Sequence, residues 1–173
     1  TTHPAPSRYF SALREQGDQI DFHILSAGYG LISSKRKIAP YEATFADMKR
    51  AELRSWAQKL GIPSDFASLA RQPHDFSLIL LGEAYLAACK IDAKTQFTAP
   101  TLLFCGKAAA KRLPNHPNLK TVVLTNAEAK RFSCGLVALK GEMAHRIALL
   151  EIEPEKLIDP RFDVLDACAK IQT

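Results

Sequence analysis

Apolar residues fall into three continuous runs in the middle of the chain: Phe76-Ser-Leu-Ile-Leu-Leu81, Thr101-Leu-Leu-Phe-Cys105 and Lys120-Thr-Val-Val-Leu-Thr125. Runs that do not alternate with polar residues predict strands buried on both faces. The first run meets Gly82 and a helix-like Glu83-Ala-Tyr-Leu-Ala-Ala-Cys89. The second meets Gly106 and Lys107-Ala-Ala-Ala-Lys-Arg-Leu113. Strand followed by helix, repeated, predicts an α/β fold: a mostly parallel central sheet with helices on both faces, in three layers.

Elsewhere the spacing is helical. Leu53, Trp56, Ala57 and Leu60 recur at i, i+3, i+4 and i+7 and predict a helix over 47–60, capped by Asp47 and ended by Gly61 and Pro63. On its other faces Lys49, Arg50, Arg54 and Lys59 read as solvated charges or as phosphate contacts. Further helices are predicted over 7–16, 138–150 and 161–171, with Gly141 weakening the second by about 1 kcal/mol relative to alanine. A strand is predicted over 22–27, and 28–44 reads as irregular. No linker or low-complexity tract divides 1–173, which is read as a single domain. Its start at Thr1 is expected to lie inside a longer protein.

Composition narrows the classes. At 47% hydrophobic residues the chain can bury a core, and no segment approaches the roughly 20 apolar residues of a membrane span. The net charge of +5 favours a polyanionic partner or, equally, reflects a lysine-rich surface. Cys89, Cys105, Cys134 and Cys168 form no C-x-x-C pair, which fits reduced, cytoplasmic usage. The five histidines lack zinc-ligand spacing, so no metal is expected, and no cofactor is expected either because the nucleotide-binding glycine motifs are incomplete.

Candidate chemistry concentrates in Phe22-His-Ile-Leu-Ser-Ala-Gly-Tyr-Gly-Leu-Ile32 and Pro40-Tyr41-Glu42. Ligands of open α/β sheets bind outside the carboxyl ends of strands. That rule gathers Ser26, Gly28, Tyr29 and Gly30 with Gly82, Glu83, Gly106, Lys107, Thr125 and Asn126 on one rim. Ser33 stands where a dinucleotide fingerprint needs glycine, and Gly106-Lys107 lacks the upstream glycine of a phosphate loop. Tyr41 has a ring that can stack on a base, Glu42 a carboxylate suited to acid/base work, and Pro40 fixes their approach. The alternative is a packed tyrosine and a surface glutamate. In a second cluster, Arg131 and Lys140 are candidate phosphate clamps. Cys134 beside them is a candidate nucleophile or a buried thiol. Lys35, Arg36 and Lys37 form a basic cluster suited to a nucleic-acid backbone.

Ile24-Leu-Ser-Ala-Gly-Tyr-Gly-Leu31, Ile38-Ala-Pro-Tyr-Glu42 and the Trp56 helix resemble a bacterial and archaeal family related to the YaaA peroxide-stress proteins. Asp75–Tyr85 resembles that family's second strand, and Gly135–Glu142 its final helix. The likeness spans about Tyr9 to Ala148. Two features depart from it: no Cys-Ser/Gly-x-x-Lys-like first strand precedes Tyr9, and Gly28 stands where lysine is common. The resemblance implies DNA binding and protection from oxidative damage, or modification of a nucleobase in DNA or tRNA, with Glu42 as acid/base or Cys134 as nucleophile. The expected partner is therefore nucleic acid, DNA rather than RNA. The expected role is an enzyme acting on a modified base or a non-catalytic DNA-binding module, with a nucleotide-binding protein as a third class.

Overall fold

A computed structural model describes residues 19–171. The helix predicted over 7–16 lies outside the described residues.

The continuous apolar runs form a parallel sheet. Strands β3 (Ser77–Ile79), β4 (Thr101–Cys105) and β5 (Leu119–Val123) lie side by side in that order. Leu103 of β4 is in register with Ile79 and with Thr121. Every residue of β4 is buried, which is why its sequence shows no polar alternation. Leu103 and Cys105 enter one apolar cluster, and Leu102 and Phe104 a second. Full burial of each such side chain contributes about 1.5–3 kcal/mol.

The first cluster gathers Leu53 and Ala57 of α1 (Arg50–Lys59), Ile62 and Phe66 of α2 (Ile62–Ala70), and Leu86 and Cys89 of α3 (Glu83–Cys89). Ala109 of the one-turn α4 (Lys107–Ala110) joins them. The second cluster gathers Ala129 of α5 (Asn126–Arg131), Leu139 and Met143 of α6 (Leu136–Ala148), Leu157 of α7 (Pro154–Ile158) and Val164 of α8 (Val164–Ala169). The chain is thus a mixed helix-and-strand protein built on a three-stranded parallel sheet.

Two predicted boundaries are corrected. The helix over 47–60 begins later, at Arg50, after a short 3-10 turn Phe45–Asp47 that Thr44, not Asp47, caps. Gly61, at φ +71°, ends α1, but Pro63 does not close the segment: it lies in the first turn of α2. Proline fits there because the first turn leaves its N–H groups unbonded anyway.

The largest correction concerns 28–44, which is not wholly irregular. Strand β1 (His23–Ser26) turns at 27–29 and returns as β2 (Gly30–Ser33), antiparallel, with Ser26 opposite Gly30. This hairpin is a separate two-stranded sheet. Leu25 and Ala27 anchor it in the first apolar cluster. No helix among the described residues is long and apolar enough to cross a membrane.

Candidate functional site

The hairpin turn is held by its own polar groups. The Ser26 hydroxyl oxygen accepts hydrogen bonds from the backbone N–H of Gly28 (3.2 Å) and Tyr29 (3.1 Å). This local side-chain to backbone pattern satisfies the turn. The same hydroxyl donates to the Tyr41 hydroxyl at 2.7 Å. The Trp56 indole N–H reaches from α1 to donate to the Ala27 carbonyl at 2.7 Å. Residues 15 and 29 positions downstream of the turn therefore clamp it.

The two glycines have different reasons to be glycine. A Cβ on Gly28 would lie 2.5 Å from Cδ2 of Tyr41, so the ring rests directly on the backbone there. Gly30 has φ +75°, and a Cβ would lie 2.9 Å from the Leu60 carbonyl oxygen. Conformation and space both demand glycine at that position.

What remains outward is aromatic and basic. Tyr41 is 41% exposed, Trp56 37% and Ile38 44%. The Tyr29 and Tyr41 rings meet edge to face, 5.2 Å apart at 84°. The Arg36 guanidinium lies over the Tyr29 ring at 5.8 Å, within cation–π range. Lys35, Arg36, Lys37, Pro40 and Glu42 are exposed. Among the described residues, no hydrogen bond or ion pair engages Glu42.

The expected single rim divides in two. Gly82, Glu83, Gly106, Lys107, Thr125 and Asn126 do follow the carboxyl ends of β3, β4 and β5. Ser26, Gly28, Tyr29 and Gly30 do not join them as another parallel strand end, because β1 pairs only with β2 among the described strands. At the sheet edge Glu83 forms an ion pair with Arg112. Thr125 caps α5 reciprocally with Glu128: the Ala127 N–H donates to the threonine hydroxyl, and the Thr125 N–H donates to the Glu128 carboxylate at 2.7 Å. The Thr125 hydroxyl also holds the Glu128 carboxyl below its usual range, with a smaller contribution from Lys107.

The two basic residues of the second predicted cluster have partners of their own. Arg131 pairs with Asp166 at 2.6 Å, whereas Lys140 donates to the backbone carbonyl of Leu81. The thiol of Cys134 is not lowered by basic neighbours. Burial pushes it up, Glu142 adds to the rise, and Arg146 only opposes it. Such a thiol supplies little thiolate, so the structure offers no activation of Cys134. All four cysteines are free. Among the described residues, no group of three or more His, Cys, Asp or Glu is placed to hold a metal ion.

Sequence reasoning missed the role of Trp56, which it placed on the buried stripe of α1. Its place at the margin of that stripe, beside the fully buried Ala57, was the available signal. It also missed the Leu81 carbonyl as the partner of Lys140. That contact joins positions 59 apart and leaves no local pattern.

No curated protein and no solved structure matches the chain. A family model matches residues 6–112, a span that contains the hairpin, its clamp residues, and the carboxyl ends of β3 and β4. The chain belongs to DUF6884, a family of unknown function.

Proposed function

We propose that the outward face of the hairpin binds nucleic acid, with an unpaired base against the aromatic residues and phosphates on the basic ones. The observation that carries this reading is the adjacency of exposed Tyr41 and Ile38 to Lys35, Arg36 and Lys37, with Arg36 already stacked on Tyr29. Aromatic side chains that stack on bases, beside cations that track the backbone, are the means by which single strands are bound without sequence readout. DNA is the proposed partner, in the setting of DNA modification or protection from oxidative damage.

The polar groups of the signature segment serve a different end in this reading. Ser26, Gly28 and Trp56 shape the turn and present Tyr29 and Tyr41; they are positioning residues. Binding is favoured over base chemistry because Glu42 is exposed, with none of the described residues engaging it, and burial pushes the Cys134 thiol up. We also read the two apolar clusters as the two sides of a three-layer arrangement, with the hairpin attached to one side.

The test is a titration of a fluorescent single-stranded DNA followed by anisotropy at several salt concentrations. Binding that weakens linearly in log–log form with salt is expected. Absence of binding at low salt, or binding indifferent to salt, contradicts the proposal.

A further inference from the structure

Lys140 is a cation of the sheet edge, away from the hairpin. It is the fifth residue of α6, and its side chain crosses to the carboxyl end of β3, where the amine donates to the Leu81 carbonyl. Residue 140 is half-buried. Two carboxylates of that edge are already engaged: Glu83 pairs with Arg112, and Glu128 is tied to Thr125. Among the described residues no carboxylate forms an ion pair with Lys140.

Buried cations are ordinarily paired. Lys120 provides the contrast within the same chain. It donates to the Asp159 carbonyl at 2.7 Å and to the Phe162 carbonyl; burial pulls its ammonium down as well, but the carboxylates of Asp159 and Asp163 oppose that shift. The titratable group that bears on Lys140 is instead Cys105, the last residue of β4. Glu83 in turn acts on Cys105, whose thiol burial pushes up. A neutral thiol supplies no counter-charge. Burial accordingly pulls the Lys140 ammonium below the ordinary lysine value, with Cys105 opposing the shift.

We propose that the ε-amine of Lys140, at the carboxyl edge of the β3–β4–β5 sheet, is a nucleophile toward a small aldehyde or ketone. Three observations converge on it: the location where parallel sheets bind ligands, the lack of a carboxylate partner, and the backbone carbonyl that fixes one N–H without occupying the nitrogen lone pair. Desolvated lysines of this kind react with carbonyl compounds in their neutral form. The nitrogen lone pair attacks the carbonyl carbon, and a proton passes from nitrogen to the carbonyl oxygen to give a carbinolamine. Loss of that oxygen as water leaves the carbon–nitrogen double bond of an imine. No oxidant or reductant takes part. The proposal is independent of nucleic-acid binding, since none of the hairpin residues enters it.

The test treats the full chain at pH 7 with acetaldehyde and sodium cyanoborohydride, which reduces the imine to a stable secondary amine. Modified lysines are then mapped over time by peptide mass spectrometry. Lys140 is expected to be alkylated faster than the exposed Lys35, Lys37 and Lys107, because a larger fraction of its amine is neutral at that pH. Raising the pH towards 10.5 should close that gap, as ordinary lysines also lose their protons. Alkylation of Lys140 at the rate of the exposed lysines, or slower, overturns the proposal, as does a rate ratio that does not change with pH.

Discussion

The hairpin and the carboxyl edge of the parallel sheet carry similar residue types but use them in opposite ways. At the hairpin, the serine, the tryptophan N–H and the tyrosine hydroxyl are consumed inward to hold one turn, and rings and cations are left facing outward. At the sheet edge, the charged groups turn on one another. Glu83 takes Arg112, Glu128 takes Thr125, and Lys140 takes a carbonyl. A motif that looks chemical in sequence can therefore be scaffolding, while a lysine without a motif holds the less compensated charge.

The comparison is broken most severely at Gly30. Gly30→Ala places a Cβ against a backbone carbonyl in a left-handed conformation, so relaxation has to move α1 or the turn. Destabilisation of about 1–3 kcal/mol is expected in chemical denaturation, the range for overpacking. A midpoint equal to that of the parent chain would mean that the turn is not fixed by Leu60. Trp56→Phe sharpens the same point. It keeps a ring but leaves the buried Ala27 carbonyl without its donor, and a loss of about 1–2 kcal/mol is expected by the same measurement.

The basic cluster separates stability from binding. Replacing Lys35, Arg36 and Lys37 together by serine should leave the denaturation midpoint within about 0.5 kcal/mol of the parent, because all three are exposed. The log–log salt slope for single-stranded DNA should fall by about 1 for each phosphate contact removed. An unchanged slope would move the binding face elsewhere.

The sheet edge gives a pH-dependent effect on stability. Thr125→Ala removes the cap of α5 and should cost about 1 kcal/mol at pH 7. Glu128 has a folded pKa below its unfolded value of about 4.3. Its contribution is therefore present above that value and is lost as the pH falls through the folded pKa. The difference between parent and variant should shrink below about pH 4, and a difference that persists at pH 3 would show that the threonine acts without the glutamate.

Much of the sheet was legible because burial on both faces writes itself into sequence. Thr101–Cys105 was bounded correctly from its apolar run alone, and α3 followed from the residues after Gly82. The hairpin was not legible as such. Gly30–Ser33 is only four residues long, too short for alternation to separate it from loop. Pro63 was misread because the sequence signal that stops one helix also fits the first turn of the next. The site was legible in composition and not in geometry. Tyr29, Tyr41 and the basic cluster could be named, but the Trp56 clamp and the Lys140 contact join positions 29 and 59 apart. Nothing local encodes such pairings.

The central claim is that nucleic acid meets the hairpin and not the sheet edge. Ultraviolet crosslinking of the full chain to a single-stranded DNA carrying 5-bromouracil, followed by mapping of the crosslinked peptides, tests it most directly. Crosslinks are expected at Tyr29 or Tyr41, lost when Lys35, Arg36 and Lys37 are replaced by serine. Crosslinks confined to residues around Gly82, Gly106 and Asn126 would contradict it.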